Sequence, residues 1–221
     1  YRPRGPSSTF VSSSVRTVLC LGAHCDDIEI GAGGSLMELS ERLPTAHFRW
    51  VVFSGDDERE AETRAAAARV HGNVSHSVEV LRIRGSYFPS EFAALKDAIE
   101  TVKQGPTPDL ILTHRLEDRH QDHRTVAELT WNTFRRHSIL EYEIPKYEGD
   151  LGQPNFYLPL SAANAEAKVR MLMDCFPSQR QRAWFTPDLF QAQLRLRGME
   201  CNAPSGMAEA FHGRKLIFST C

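Results

Sequence analysis

The chain lacks a charge imbalance that would point to a polyanionic partner. Its 221 residues include 26 lysines and arginines and 28 aspartates and glutamates, so the formal net charge is −2. A nearly neutral chain gives no global electrostatic reason to bind nucleic acid or an anionic lipid surface. We therefore expect neither as a partner, and any basic patch must be local.

Cysteine is also scarce. The five cysteines are odd in number, widely spaced and without a CxxC pair: Cys20, Cys25, Cys175, Cys201 and Cys221. This pattern argues against a disulfide framework and against a structural zinc site built from thiolates. It predicts a protein of a reducing compartment, for which the cytoplasm is the simplest choice.

Long apolar runs are missing as well. No stretch approaches the roughly 20 apolar residues that a helix needs to span a bilayer, and residues 1–14 lack the apolar centre of a signal peptide. We expect 1–14 to be a loose polar tail and 15–221 to form a single domain, since one α/β domain commonly reaches this size.

What the chain does contain is a regular alternation of strand and helix patterns. The patterns predict strands at 15–23, 47–53, 77–83, 110–113 and 139–142, and helices at 33–41, 58–70, 91–104, 124–136, 162–176 and 186–197. Such alternation predicts an α/β fold, a Rossmann-like, mostly parallel sheet flanked by helices, with strand order 3-2-1-4-5. The stretch 145–154, rich in proline and glycine, is a candidate substrate loop.

Two clusters of side chains that can bind metals follow two of these strands. One occupies residues 23–29, directly after the apolar run 18–21, and the other occupies residues 114–123, after the run 110–112. In the predicted strand order the first and fourth strands are neighbours, and ligands bind in the crevice at their carboxyl ends. The two clusters are therefore expected to form one site.

The residue types in these clusters favour a catalytic metal. His24 and Asp27 are three residues apart, as are His120 and His123, so each pair can project from one face of a helical turn. Nitrogen and carboxylate ligands suit Zn²⁺, with Fe²⁺ as the second choice. We expect His24, Asp27 and His123 to be the three protein ligands. Asp26 is then the nearest general base, and His120 remains for the oxyanion or the leaving amine.

Both clusters also resemble the motifs of a known family. AHCDDIEIGAGG is similar to AHPDD-x-E-x-G-x-GG, and DRHQDH is similar to H-x-D-H, in the LmbE-like (PIG-L) zinc-dependent N-acetylglucosamine deacetylases. The resemblance implies an LmbE-like fold and assigns the same roles. His24, Asp27 and His123 would be zinc ligands, Asp26 the general base, and His120 the residue that stabilises or protonates the tetrahedral intermediate.

The resemblance is strong over residues 15–130 and returns at 208–211, which is similar to the family's late E-x-F element. It also implies that Arg59, which begins an R-x-x-E pattern ahead of an alanine-rich helix, faces the substrate pocket. Between residues 130 and 208 the similarity is diffuse, so the identity of the substrate depends mostly on that region.

Three further positions bear on the site. Cys25 stands where the family has proline, which adds a backbone donor and a thiol. Asp118 stands where relatives vary, and we expect it to contribute to the substrate site by orienting His120 or as an auxiliary acid or base. Arg115, beside the second cluster, is a candidate for binding an anionic substrate group such as a phosphate or a uronate carboxylate.

The expected function is a hydrolase that removes an N-acetyl group from a small amino sugar or glycoconjugate by metal-activated water. A homo-oligomer is compatible with the sequence. Two alternatives stay open, a metal-dependent phosphohydrolase and a non-catalytic nucleotide- or sugar-binding α/β module. Gly31, Gly33 and Gly34 could indicate a nucleotide loop, but two carboxylates precede them, so we expect them to allow close packing of a helix.

Overall fold

A computed structural model describes residues 15–215 of the chain. The tail predicted at 1–14 and the last residues of the predicted domain, 216–221, lie outside the described residues. Within the described part, no helix is both long and apolar enough to cross a membrane.

The strands and helices follow one another nearly as predicted. The strands are β1 (Thr17–His24), β2 (His47–Ser54), β3 (His76–Val80), β4 (Leu110–Thr113), β5 (Ser138–Tyr142), β6 (Phe156–Pro159) and β7 (Ala208–His212). The α-helices are α1 (Asp27–Arg42), α2 (Asp57–His71), α3 (Phe92–Lys103), α4 (Gln121–Thr133), α5 (Ala162–Cys175) and α6 (Pro187–Glu200), with a 3-10 helix at Pro177–Gln179.

All seven strands form one sheet in the order β3-β2-β1-β4-β5-β7-β6. The first five are parallel, and β7 runs antiparallel to both β5 and β6. This confirms the α/β class, the mostly parallel sheet and the 3-2-1-4-5 order. The strands β6 and β7 were not predicted from the sequence. Both strands are short, the sequence around them contains few apolar residues, and both pair at the antiparallel edge of the sheet.

Helices cover both faces of the sheet, so the central strand is buried on both sides. In β1, Val18 and Cys20 belong to the core shared with α1, α2 and α5, whereas Leu19 and Leu21 belong to the core shared with α3 and α4. Burying such an aliphatic side chain contributes about 1.5–3 kcal/mol. The apolar run of β1 is continuous because the strand is buried on both faces of the sheet.

Helix α1 begins at Asp27, six residues earlier than predicted. The prediction was late because glycine has a low helix propensity. A Cβ at Gly31 would collide with the ring of Tyr142, and one at Gly34 would lie 2.5 Å from Leu160 Cδ1. These glycines allow close packing inside the fold, as expected, and they do not form a nucleotide-binding loop.

Candidate metal centre

The two predicted clusters meet at the carboxyl ends of two paired strands. β1 pairs in parallel with β4, with Cys20 opposite Leu112. The residues that follow in the two strands therefore also lie side by side. Nε2 of His114 accepts a hydrogen bond from the Ala23 N–H at 2.8 Å. This pairing places His24, the last residue of β1, beside the segment that carries the second cluster.

A strained turn links β1 to α1. Asp26 has φ 119°, in a region that residues other than glycine rarely adopt, and such strain costs about 1–3 kcal/mol and is concentrated at functional sites. The turn is closed by the His24 N–H, which donates to Asp27 Oδ2 at 2.7 Å. Asp27 therefore lies against His24, while the carboxylate of Asp26 has a different partner.

Asp122 orients the imidazole of His24. Its Oδ2 lies 3.0 Å from His24 Nε2, and Asp122 also accepts the backbone N–H groups of Ser86 and Phe88. With Nε2 committed to this carboxylate, the other ring nitrogen, Nδ1, lies 3.4 Å from Asp27 Oδ2. Carboxylate–imidazole pairs of this kind fix the ring orientation of metal-binding histidines.

Asp118 orients the imidazole of His123 in the same manner. His123 Nδ1 lies 3.0 Å from Asp118 Oδ2, and its Nε2 lies 3.4 Å from Asp27 Oδ1. Burial lowers the pKa of His123 to about 4, with the adjacent His114 acting in the same direction. The ring is therefore neutral at pH 7, as a metal ligand must be.

The free nitrogens of the two imidazoles thus converge on one carboxylate. Donor atoms of His24, Asp27 and His123 all lie within 4.8 Å of one another. Two nitrogens and one carboxylate oxygen suit Zn²⁺ or Fe²⁺ better than Mg²⁺. The residues present therefore fit the metal that the motifs imply.

Two other groups in the described part of the chain also bring potential ligands together, and they share these histidines. One consists of His24, His120 and Asp122, the other of His114, Asp118 and His123. Their carboxylates already accept protein donors: Asp122 accepts two backbone N–H groups, and Asp118 accepts one backbone N–H and the ammonium of Lys146. Asp27 accepts a single backbone N–H, that of His24, at Oδ2, so the set centred on Asp27 is the better candidate.

Asp26 pairs with Arg59 instead of with the metal-binding set. Arg59 Nη2 lies 2.9 Å from Asp26 Oδ2, and its Nη1 donates to Glu62 Oε2 at 2.9 Å and to Ser178 Oγ at 2.7 Å. Burial raises the pKa of Asp26 to about 7, against the opposing charge of Arg59. A carboxyl group of this kind can accept and release a proton near neutral pH. The contact of Arg59 with substrate stays a prediction.

His120 is the N-cap of α4, which begins at Gln121 and not after His123 as predicted. Its Nδ1 accepts the Asp122 N–H at 3.3 Å, which leaves the ring proton on Nε2. The ring centroid lies 5.1 Å from that of His24 and 4.5 Å from that of His123. Burial lowers the pKa of His120, so a neutral ring presents an N–H donor beside the proposed ligands.

Asp118 forms hydrogen bonds with two residues of the predicted site, His120 and His123. Its Oδ1 accepts the backbone N–H of His120 at 2.8 Å, and its Oδ2 binds His123 and, at 2.9 Å, Lys146 Nζ. Against the effect of burial, the hydrogen bond with His123 and the positive charge of Lys146 hold the pKa of Asp118 well below its usual range. It stays ionised, which suits a group that orients His123 better than an auxiliary acid.

Arg115 borders an open cavity of about 570 Å³. The cavity lies between the turn 115–119 and the loop 148–152, part of the predicted substrate loop. Arg115 Nη1 donates to the carbonyl of Asp150 at 2.8 Å, and its Nε lies 3.4 Å from Glu117. Arg115 therefore holds the loop in place, and its contact with an anionic substrate stays a prediction.

Cys25 lies in the turn but not among the candidate ligands. None of the three donor groups found within residues 15–215 includes it. Its side chain is buried, with Sγ 3.8 Å from the carbonyl of Ser54. Burial raises the pKa of the Cys25 thiol to about 12, so the group is a neutral thiol packed in the core.

The sequence did not reveal two supporting residues. Asp122 lies between His120 and His123 in the sequence. This position could have indicated a supporting role, but none was assigned to it from the sequence. Lys146 gave no signal, because it lies in an irregular stretch and pairs with a residue 28 positions earlier, Asp118.

A family profile described as PIG-L, GlcNAc-PI de-N-acetylase, matches residues 19–134. This is more than half of the chain, and it contains the proposed ligands His24, Asp27 and His123 as well as Asp26 and His120. The chain belongs to the PIG-L family.

Solved structures agree on the fold of this PIG-L family member. N,N′-diacetylchitobiose deacetylase from Pyrococcus horikoshii has a TM-score of 0.67 and 17% identity, covering 90% of this chain and 84% of that one. The teicoplanin deacetylase Orf2, in a zinc-inhibited form, has a TM-score of 0.68 and 14% identity, covering 88% and 96%.

The same fold also supports a different reaction. GalB, the 4-carboxy-2-hydroxymuconate hydratase from Pseudomonas putida KT2440, has a TM-score of 0.71 and 17% identity, covering 93% of this chain and 99% of that chain. Identities this low establish the fold alone. The reaction must therefore be argued from the residues of the site.

Proposed function

We propose that this PIG-L family protein is a zinc-dependent N-deacetylase that hydrolyses the acetamide of an amino sugar or of an amino-sugar conjugate. The single observation that carries the proposal is the convergence of two carboxylate-supported imidazoles, His24 and His123, on Asp27. Membership in a family of de-N-acetylases, together with deacetylases among the structural neighbours, supports the reaction class.

The residues around the proposed ligands are of the types that amide hydrolysis requires. A zinc ion held by His24, Asp27 and His123 would supply Lewis-acid polarisation of the amide carbonyl and would make the attacking water more acidic. Asp26, held by Arg59, takes the proton of the attacking water and returns it to the departing amine nitrogen. His120 donates its Nε2–H to the oxyanion of the tetrahedral intermediate.

The finer assignments are part of the same proposal. Zn²⁺ is preferred and Fe²⁺ is the second choice, because both accept imidazole and carboxylate ligands. We place the protein in the cytoplasm, and the cysteines of the described part, Cys20, Cys25, Cys175 and Cys201, support this because all four are free thiols. The substrate is a small N-acetylated sugar or glycoconjugate.

An acetate-release assay tests the reaction. Zinc-loaded protein is incubated with N-acetylglucosamine and with N-acetylated amino-sugar conjugates, and acetate and free amine are measured together. We expect both in equal amounts, with Asp26→Asn reducing kcat by about 10²–10⁴-fold, the usual contribution of a general base. Asp97→Asn is the matched control, because Asp97 is exposed on α3, far from the site in sequence.

Three results would contradict the proposal. Release of phosphate from phosphate esters without release of acetate would favour the phosphohydrolase. Addition of water to an unsaturated acid without amide cleavage would favour a hydratase. Binding of sugars or nucleotides with no turnover, unchanged in Asp26→Asn, would favour the binding module.

A further inference from the structure

The loop after β3 forms one wall of the candidate metal centre. The backbone N–H groups of Ser86 and Phe88 both donate to Asp122, the carboxylate that orients His24. The ring of Phe88 also stacks on the ring of His24, with 5.9 Å between the centroids. The loop is thus fixed to the same residues that would hold the metal.

Gly85 shows how closely this loop approaches the site. A Cβ at Gly85 would lie 3.7 Å from His24 Cδ2 and 2.8 Å from Ser54 Oγ. The backbone of Gly85 therefore runs along the His24 ring. Arg84 directly precedes Gly85 and Tyr87 follows it by two residues, so both side chains arise at the rim of the centre.

Arg84 and Tyr87 form an exposed pair on this rim. The guanidinium carbon of Arg84 lies 3.6 Å from the centroid of the Tyr87 ring. Both residues are exposed, Tyr87 to 46%. Stacking on an aromatic ring orients a guanidinium while leaving its N–H groups, which lie in the guanidinium plane, available to a ligand. No acceptor within residues 15–215 makes a hydrogen bond or ion pair with Arg84.

The exposed Arg119, next to His120, also forms no ion pair within residues 15–215, but it is not stacked on an aromatic ring there. Three other cations near the centre are neutralised by protein carboxylates. These pairs are Arg59 with Asp26 and Glu62, Arg82 with Asp57 and Glu60, and Lys146 with Asp118 and Asp150. Arg84 follows Arg82 by two residues but has no such partner. A guanidinium that is pre-oriented and unpaired is suited to bind an oxyanion through two parallel hydrogen bonds.

We propose that Arg84, stacked on Tyr87, binds an anionic substituent, a phosphate or a carboxylate, of the amino sugar whose acetamide lies at the metal centre. This inference rests on the proposed deacetylase function for the identity of the sugar. It makes the rim pair a determinant of specificity and narrows the substrate class to acidic amino sugars or their phosphorylated conjugates.

Binding of reaction products tests the subsite without turnover. The zinc-loaded chain is titrated by calorimetry with glucosamine, glucosamine 6-phosphate and 2-amino-2-deoxyglucuronic acid. We expect at least one anionic sugar to bind about tenfold more tightly than glucosamine, the scale of a hydrogen bond to a charged group. The anionic sugar that binds more tightly shows whether the subsite prefers a phosphate or a carboxylate.

Variants assign the preference to Arg84. In Arg84→Gln the preference should fall below about twofold, and in Arg84→Lys it should be partly retained, because the charge stays but the planar fork is lost. Tyr87→Ala should reduce the preference and Tyr87→Phe should keep it. Arg136→Gln is the control, since Arg136 is exposed in the turn before β5, at the opposite end of the sheet.

The outcomes separate this inference from the proposed function. An anion preference that depends on Arg84 in a protein that releases no acetate would keep the subsite and reject the deacetylase. Acetate release with no anion preference, or a preference that persists in Arg84→Gln, would reject the subsite alone. Failure of both anionic sugars to bind would also overturn it.

Discussion

The carboxylate of Asp122 lies 3.0 Å from Nε2 of His24, although the two residues are 98 positions apart in the chain. This contact leaves Nδ1 of His24 beside Asp27. We predict that Asp122→Ala weakens Zn²⁺ affinity by about 10–100-fold, the usual effect of removing a carboxylate that orients a ligating histidine. Competition with a zinc chelator measures the affinity, with Asp97→Asn as control. Unchanged affinity would mean that Asp122 does not orient a ligand.

Lys146 connects the candidate substrate loop, 145–154, to the candidate metal centre. Its Nζ lies 2.9 Å from Asp118 and 2.8 Å from Asp150, and little of its side chain is exposed. We predict that Lys146→Met lowers the free energy of unfolding by about 3 kcal/mol, because it leaves two buried carboxylates without their cation. Urea denaturation measures the change.

Lys103 provides the comparison for Lys146. Its ammonium lies 3.7 Å from Glu100, and its side chain is about half exposed. Lys103→Met should therefore cost less than about 1 kcal/mol, as is usual for surface pairs. Equal losses in the two variants would contradict a buried role for Lys146.

The close packing of α1 predicts different effects of alanine at two glycines, Gly31 and Gly33. A Cβ at Gly31 would meet the ring of Tyr142, whose hydroxyl donates to the carbonyl of Leu21 at 2.7 Å and holds the ring in place. Gly31→Ala should destabilise by about 1–3 kcal/mol through overpacking. At Gly33 a Cβ would meet the flexible end of Met171, 3.2 Å away, and would make an ordinary contact with Lys168 at 3.8 Å. Gly33→Ala should be neutral or stabilising by up to about 1 kcal/mol. Thermal denaturation compares them, and the reverse order would refute the packing.

A buried histidine away from the site predicts part of the pH dependence of stability. Burial lowers the pKa of His71 to about 3 from its ordinary 6.5, helped by the nearby His76 and His47. His71 Nδ1 lies 2.8 Å from Ser40 Oγ. Since only the unfolded chain binds a proton at His71 between pH 6.5 and 3, the contribution is complete above pH 6.5 and is lost as the pH falls towards 3.

His71→Phe tests this contribution. Between pH 6 and 4 the wild type should lose up to about 1.4 kcal/mol of unfolding free energy per pH unit more than the variant, the value for one proton. Denaturant unfolding over this pH range measures the two slopes. Parallel slopes would show that His71 is accessible to protons in the folded state.

The sequence predicted the parts of the fold that depend on local pattern. The apolar run of β1 indicated a strand buried on both faces, and alternation with helices was sufficient for the 3-2-1-4-5 order. That order predicted that residues after β1 and β4 share one site, which the contact of Ala23 with His114 illustrates. Both inferences use spacing within short segments and general rules for parallel sheets.

The parts that the sequence did not predict depend on contacts between distant residues. The pairing of Arg59 with Asp26, 33 positions earlier, was not predicted, because no local pattern indicates it. Lys146 is joined to Asp118 through an irregular loop. The start of α1 was predicted too late, because glycine has a low helix propensity and propensity takes no account of the close packing that glycine allows.

The most direct test of the central claim is the zinc content of each chain, measured by elemental mass spectrometry after reconstitution with zinc and removal of excess metal. We predict about one zinc per chain in the wild type and in His120→Ala, and a large loss in His123→Ala and in Asp27→Ala, because only the latter two remove a ligand. Equal zinc in all four proteins, or none in the wild type, would contradict the account.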